Sequence, residues 1–284
     1  NVVNDERQTY LNRLRYNSDS VLEAIDFFEQ DRESILQERE RAELLLEHIY
    51  NQQHEGNYPS GHEITSSTYT PPELANSQVE KLVEAGASFD GVDVLVLNPE
   101  YIVQLFRNGF RPNEITILCD DRSMKAAIRT LGMRFGIRTN IVTDTDQIDD
   151  MEFDVVVGNP PFEHPEKTGG SAKLWADFVE LVNSVLTPGG FFSLIHPNGW
   201  FTNSGSKTGK IFQRLIVENN LIYLNVNDVE KHFKDVSTGD CGFYVCENED
   251  PSGKTEIVTS NGLVEVDLRS FNRLPKKLTP KVTS

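Results

Sequence analysis

One stretch limits the architecture more than any other part of the chain: Asp154-Val155-Val156-Val157-Gly158-Asn159-Pro160-Pro161-Phe162. Its apolar, β-branched run reads as a parallel strand buried on both faces. Each proline forces its predecessor into an extended shape and donates no amide hydrogen. The chain therefore leaves the strand as a stiff hook. Such a hook presents the Asn159 side chain, nearby backbone carbonyls and the Phe162 ring at the carboxyl edge of a sheet. Open α/β sheets bind their ligands at that edge.

The hook suits one kind of chemistry. Carbonyl oxygens of Asn159 and Pro160 can accept hydrogen bonds from a planar amino group, and Phe162 offers a flat apolar face for a ring. Accepting both N–H bonds holds an exocyclic amine still and favours a lone pair aimed at an electrophile. A methyl sulfonium is a fitting electrophile, because in-line transfer needs no previously activated nucleophile. The plainer alternative is a loop breaker with Phe162 as core. A tetrapeptide placed directly after a strand favours the site.

From residue 69 onward, helical and strand patterns alternate. Helices are expected at 73–84, 100–108, 122–135, 173–185 and 208–218. Strands are expected at 94–97, 115–119, 139–142, 154–157, 190–195, 221–224 and 243–246. Such alternation implies an α/β fold with a doubly wound, mainly parallel sheet. Residues 1–55 are highly charged with helical apolar spacing and read as a helical extension. Residues 52–68 form a polar linker. The sheet domain is expected over 56–250. Residues 251–284 read as a small hairpin (257–259 with 263–266) and a tail.

The formal net charge of −17 opposes phosphate binding as a global property, since that affinity comes from Lys and Arg. Basic residues do cluster locally, at Arg122, Lys125, Arg129, Arg134 and Arg138, and in a tail with Lys276, Lys277 and Lys281. Cys119, Cys241 and Cys246 have neither zinc nor redox spacing and read as buried thiols, which suits a reducing cytoplasm. No signal peptide or membrane-length apolar span is evident, so no membrane partner is expected, and the Asn at position 1 suggests a trimmed chain. No metal site is expected; His164 and His196 read as polar loop residues. The Gly205–Lys210 stretch lacks phosphate-loop spacing. The glycine-rich Lys167–Ser171 loop is well placed to move over a substrate.

Asn159-Pro160-Pro161-Phe162 resembles motif IV of adenine-N6 DNA methyltransferases of the restriction-modification type. Downstream, Ser171–Phe178, Leu186–Ile195 with its Pro188-Gly189-Gly190 turn, and His196-Pro197-Asn198-Gly199-Trp200 are similar to that family's helix, strand and following loop. Upstream, Ser67–Leu74 resembles its motif X. The resemblance spans roughly residues 62 to 250. It implies a Rossmann-like fold and S-adenosylmethionine (SAM) as cofactor. It also implies duplex DNA as partner, with the target adenine flipped onto Phe162 and held by Asn159 and Pro160.

By the same resemblance, Tyr69, Thr70 and Pro71 lead a helix against the cofactor, and Asn98 ends the first strand beside it. Asp120 or Asp121 accepts the ribose hydroxyls, Asp144 lies near the cofactor's adenine, and Asn159 faces both ligands. Taken singly, each strand-end Asp is a cap or turn residue; their order before the hook favours the site. The pattern breaks at residues 98–103, where Asn-Pro-Glu-Tyr-Ile-Val replaces the glycines that let backbone approach the methionine moiety. Other readings are a different acceptor (RNA adenine or a protein glutamine) and a methyltransferase-like binding subunit without catalysis. Target recognition is expected from a partner chain or a further domain, in a restriction-modification or phage modification system.

Overall fold

The computed structural model describes residues 70–274 except 89, 109–111, 120–121, 136, 165–172, 228, 234–239 and 260. The expected helical extension (1–55), the linker, the 167–171 loop and the basic tail lie outside the described residues. Chain order is α1 (Pro72–Glu84), β1 (Asp93–Val96), α2 (Glu100–Arg107), β2 (Glu114–Leu118), α3 (Arg122–Phe135), β3 (Arg138–Val142) and β4 (Phe153–Gly158). Then follow α4 (Leu174–Val185), β5 (Leu186–Pro197), α5 (Gly209–Phe212, continued as a wider π turn through Glu218), β6 (Asn220–Asn225), β7 (Cys241–Glu247), β8 (Thr255–Thr259) and β9 (Gly262–Val266).

All nine strands form one sheet in the order β3-β2-β1-β4-β5-β7-β6-β8-β9. The β1–β2, β2–β3, β1–β4, β4–β5 and β6–β8 pairs are parallel. Strand β7 is antiparallel to both β5 and β6, and β9 is antiparallel to β8. Alternation along each strand feeds two cores. Val94, Val96, Val155 and Val157 point to one face, where residues of α1, α2 and α3 pack. Leu95, Leu97 and Val156 point to the other, with residues of α4 and α5. Apolar residues on both faces of the central strands are thus covered, at about 1.5–3 kcal/mol for each fully buried aliphatic side chain.

One expectation changes. The strand expected at 190–195 begins earlier, at Leu186, because the first residues after α4 already pair: Phe153 lies opposite Leu186, and the register then jumps so that Val155 faces Phe191. The Pro-Gly-Gly segment is absorbed in that jump, with Gly189 at φ 73°. The strands expected at 221–224 and 243–246 do not follow chain order in space: β7 inserts between β5 and β6, and the 255–266 hairpin pairs onto β6 and widens the same sheet.

Candidate functional site

The hook forms where expected, at the carboxyl edge of β4. Gly158 sets its approach. A Cβ on Gly158 would stand 2.5 Å from the Leu97 Cβ and 3.1 Å from Asn98 Oδ1. Only a residue without a side chain lets the β1 and β4 exits come this close. The result is a direct bond, Asn159 N–H donating to Asn98 Oδ1 at 2.6 Å. Asn159 is 3% exposed, and its Nδ2 donates to Thr70 Oγ1 at 3.3 Å. That contact turns the carboxamide so that Oδ1 lies on the side away from Thr70. Pro160 and Pro161 are buried, while Phe162 is half-buried and packs against both cores.

Thr70 ties the arrangement to α2. Its backbone N–H donates to Glu100 Oε1 at 2.9 Å. Thr70, Asn98 and Glu100 are all under 4% exposed. Beside them, the Tyr101 hydroxyl donates to Gln78 Oε1, and Gln78 Nε2 donates to Ser193 Oγ at 3.1 Å. Burial, followed by the charge of Glu100, raises the Tyr101 phenol well above its ordinary value, so it stays a proton donor. Buried polar groups joined this way hold the three loops together through side chains.

The structure therefore brings together Thr70, Asn98, Asn159, Pro160 and Phe162. Pro71 precedes α1 as its cap residue, without a side-chain cap bond. Asp144 stands apart: it is exposed, and its Oδ1 accepts from Asp146 N at 3.2 Å, capping the short 145–147 turn. Tyr69, Asp120 and Asp121 lie outside the described residues. Glu100, Gln78 and Ser193 belong to the constellation but were not singled out as site residues. A glutamate in the first turn of a helix that leaves directly from a buried strand was the one signal in sequence. Among the described residues, no His, Cys, Asp and Glu cluster could hold a metal.

His196 corrects the loop reading. It lies within β5, stacked on Trp175 at 4.4 Å, with Nε2 3.1 Å from the Tyr244 hydroxyl and Nδ1 3.0 Å from the Pro197 carbonyl. Nδ1 therefore donates and Nε2 accepts. Burial lowers its pKa to about 4. The three cysteines are buried and outside any disulfide, as expected.

A second loop closes beside the hook. The Phe162 carbonyl accepts from Leu174 N (3.1 Å) and Trp175 N (3.4 Å), and so serves the first turn of α4. Glu163 and Lys173 form a backbone bridge and an ion pair at the two ends of the 165–172 segment. In donor chemistry the site fits SAM in part. A buried carboxylate (Glu100) and carboxamide (Asn98) can meet a methionine ammonium, in place of glycine backbone. Their present bonds, to Thr70 and to the hook, fill the approach those glycines would leave.

The sequence model of the Eco57I restriction-modification methylases matches residues 27–233. No curated protein sequence matches the chain. Solved structures with the same fold include a protein assigned as the modification subunit of a type I restriction enzyme from Vibrio vulnificus. It shares 16% identity at TM-score 0.58 and covers 90% of this chain and 57% of its own. A protein assigned as a class I SAM-dependent methyltransferase from Listeria monocytogenes shares 12% identity at TM-score 0.59, covering 90% and 93%. The type I restriction-modification methyltransferase subunit from Streptococcus thermophilus shares 12% at TM-score 0.50, covering 91% and 70%. The chain thus spans 57% of the Vibrio subunit's length. At these identities the likeness concerns the fold: that of class I SAM-dependent methyltransferases.

Proposed function

The chain belongs to the Eco57I restriction-modification methylase family, and from that premise we propose that it methylates the exocyclic amine of adenine in DNA, with SAM as donor. The observation that carries this is the hook. Asn159 is anchored on two sides, through its backbone to Asn98 and through Nδ2 to Thr70, so its side-chain carbonyl is held in one orientation. When bound, SAM supplies an electrophilic methyl on a positively charged sulfur. Thr70, Asn98 and Glu100 would hold it. Asn159 Oδ1 and the Pro160 carbonyl accept the two amine hydrogens and fix the nitrogen. Phe162 keeps part of its ring accessible for stacking and anchors the rest in both cores.

The duplex needs help from elsewhere. Several cations among the described residues pair with this chain's own acids: Lys207 with Asp177 at 2.7 Å, Arg214 with Glu180 at 2.7 Å and with Glu218, and Lys254 with Glu265 at 2.8 Å. That pattern supports a partner chain or further domain carrying target recognition. Among the described residues, no helix is long and apolar enough to cross a membrane.

The Thr70–Glu100 and Asn98–Asn159 bonds favour a second reading, a binding subunit whose cofactor side is tied shut. One experiment separates the two: calorimetric titration with SAM, alone and with duplex DNA, followed by tritiated methyl transfer. Micromolar binding, and transfer that falls about a hundredfold or more in Asn159→Ala with an unchanged melt, supports catalysis. Absence of SAM binding under both conditions leaves the binding subunit.

A further inference from the structure

We propose that Tyr101 is a positioning residue for the acceptor: through Thr70 it fixes which way round the Asn159 carboxamide sits, and so keeps Oδ1 toward the amine. This rests on the reading that Asn159 Oδ1 receives that amine. The oxygen and nitrogen of a carboxamide have nearly the same shape, and a half-turn of the group exchanges them. The two orientations are opposite in function, because Nδ2 turned toward an amine would set hydrogens against hydrogens. Asn159 Nδ2 donates to Thr70 Oγ1 at 3.3 Å, the bond that bears on this choice. Thr70 alone does not make the choice. A hydroxyl donates as readily as it accepts, so it could meet Oδ1 equally well.

The choice is made further along. Burial and the Glu100 charge raise the Tyr101 pKa, and a hydrogen bond from Thr70 acts the other way, as a bond donated to the phenol oxygen does. The phenol in turn donates to Gln78 Oε1, an oxygen with no hydrogen to return, and Gln78 Nε2 donates to Ser193 Oγ at 3.1 Å. The hydrogens thus point one way, from Asn159 through Thr70 and Tyr101 to Gln78. With its own hydrogen committed to the phenol, Thr70 Oγ1 has only lone pairs for Asn159, and only Nδ2 can meet them. Thr70, Gln78, Tyr101 and Ser193 are each 0% exposed and Asn159 is 3% exposed, which keeps bulk water from exchanging partners along the chain of bonds.

The relay draws on separate parts of the fold: Gln78 from α1, Tyr101 from α2 and Ser193 from β5. It also gives a use to the 98–103 stretch. Tyr101 stands among the residues found there in place of glycines, and its hydroxyl reaches the hook through one intervening side chain.

The test uses the full chain, its Tyr101→Phe variant, and the double variant Tyr101→Phe with Gln78→Leu, which also removes the acceptor that the first change leaves bare. Each is labelled isotopically at asparagine nitrogen, and the Asn159 side-chain signal is the one absent from Asn159→Ala. NMR follows exchange of that NH2 group with solvent. Methyl transfer to duplex DNA free of adenine methylation gives kcat, calorimetry gives SAM affinity, and thermal melting gives stability. In both variants exchange should be about tenfold faster or more, because the carboxamide is free to turn Nδ2 toward the mouth of the hook. Over the same change kcat should fall about tenfold or more, with SAM affinity kept within about twofold. Wild-type exchange in Tyr101→Phe would overturn the proposal whatever kcat does, and the acceptor reading of the hook would stand. So would recovery of exchange and kcat in the double variant together with its melting temperature, which would make the phenol structural. Faster exchange with undiminished kcat, or no transfer by the wild type, overturns the acceptor reading of the hook and this proposal with it.

Discussion

Burial decides what His196 can do. Sealed between Trp175, Tyr244 and the Pro197 carbonyl, it has a pKa of about 4 against an ordinary 6.5. The folded chain keeps the ring neutral, while the unfolded chain takes up a proton below 6.5. Stability linked to His196 is therefore intact above pH 6.5 and drains away as pH falls toward 4. Between pH 6.5 and 5 the wild type should lose about 2 kcal/mol more than His196→Gln. Urea titrations at both pH values check this, since the acid groups common to both proteins cancel. Residue by residue, the sequence disclosed the hook because two prolines dictate backbone shape locally. It did not disclose the Thr70–Glu100, Gln78–Ser193 and Asn98–Asn159 bonds. Those partners lie far apart in the chain and meet only once the strand order is set. His196 was misplaced for a related reason: a histidine beside a proline looks like loop until the sheet is known to run through Pro197.

At the scale of elements, the site depends on how closely two strand ends can lie. Gly158 ends β4 with no side chain toward Leu97, and Asn98 uses the room to accept from the hook. Gly158→Ala should destabilise the protein by about 1–3 kcal/mol through overpacking. It should also weaken SAM binding more than its loss of stability explains, because Asn98 is pushed off Asn159. Parallel measurements of the melting curve and of SAM affinity check both halves. An alanine variant as stable as the parent would mean that the β1 and β4 exits are free to part. The alternation of helix and strand was legible because buried parallel strands are short and apolar throughout. The start of β5 was not, because its first residues pair across a register jump that the Pro-Gly-Gly segment conceals.

At the scale of the molecule, the chain's last described segment returns to the loop beside the hook. The Leu274 amide donates to the Phe201 carbonyl at 2.8 Å and Asn203 N to the Asn272 carbonyl at 3.0 Å. Ile257, Leu268 and Leu274 are each 3% exposed or less, within the core of α4 and α5. We therefore propose that the 251–284 region stabilises the sheet domain instead of standing as an independent unit. Removing residues after Lys254 discards three buried aliphatic side chains, about 2 kcal/mol apiece. That is comparable with the whole stability of a typical domain. The truncated chain should show no cooperative melt by circular dichroism; a transition at the parent temperature would show the region to be dispensable. A doubly wound sheet was foreseeable from pattern alone. The place of β7 was not, since neither its apolar run nor that of β6 records which neighbour it takes.

That place in the sheet has a consequence during synthesis. Strand β5 leaves the ribosome well before β7, the strand that covers its far edge, and β6 emerges in between but cannot take that position. Until Cys241–Glu247 is made, the growing chain carries an open edge that includes Phe191, Phe192, Leu194 and Ile195. Yield in a cell then depends on how quickly the ribosome crosses the stretch from β6 to β7, and on what shields that edge in the meantime.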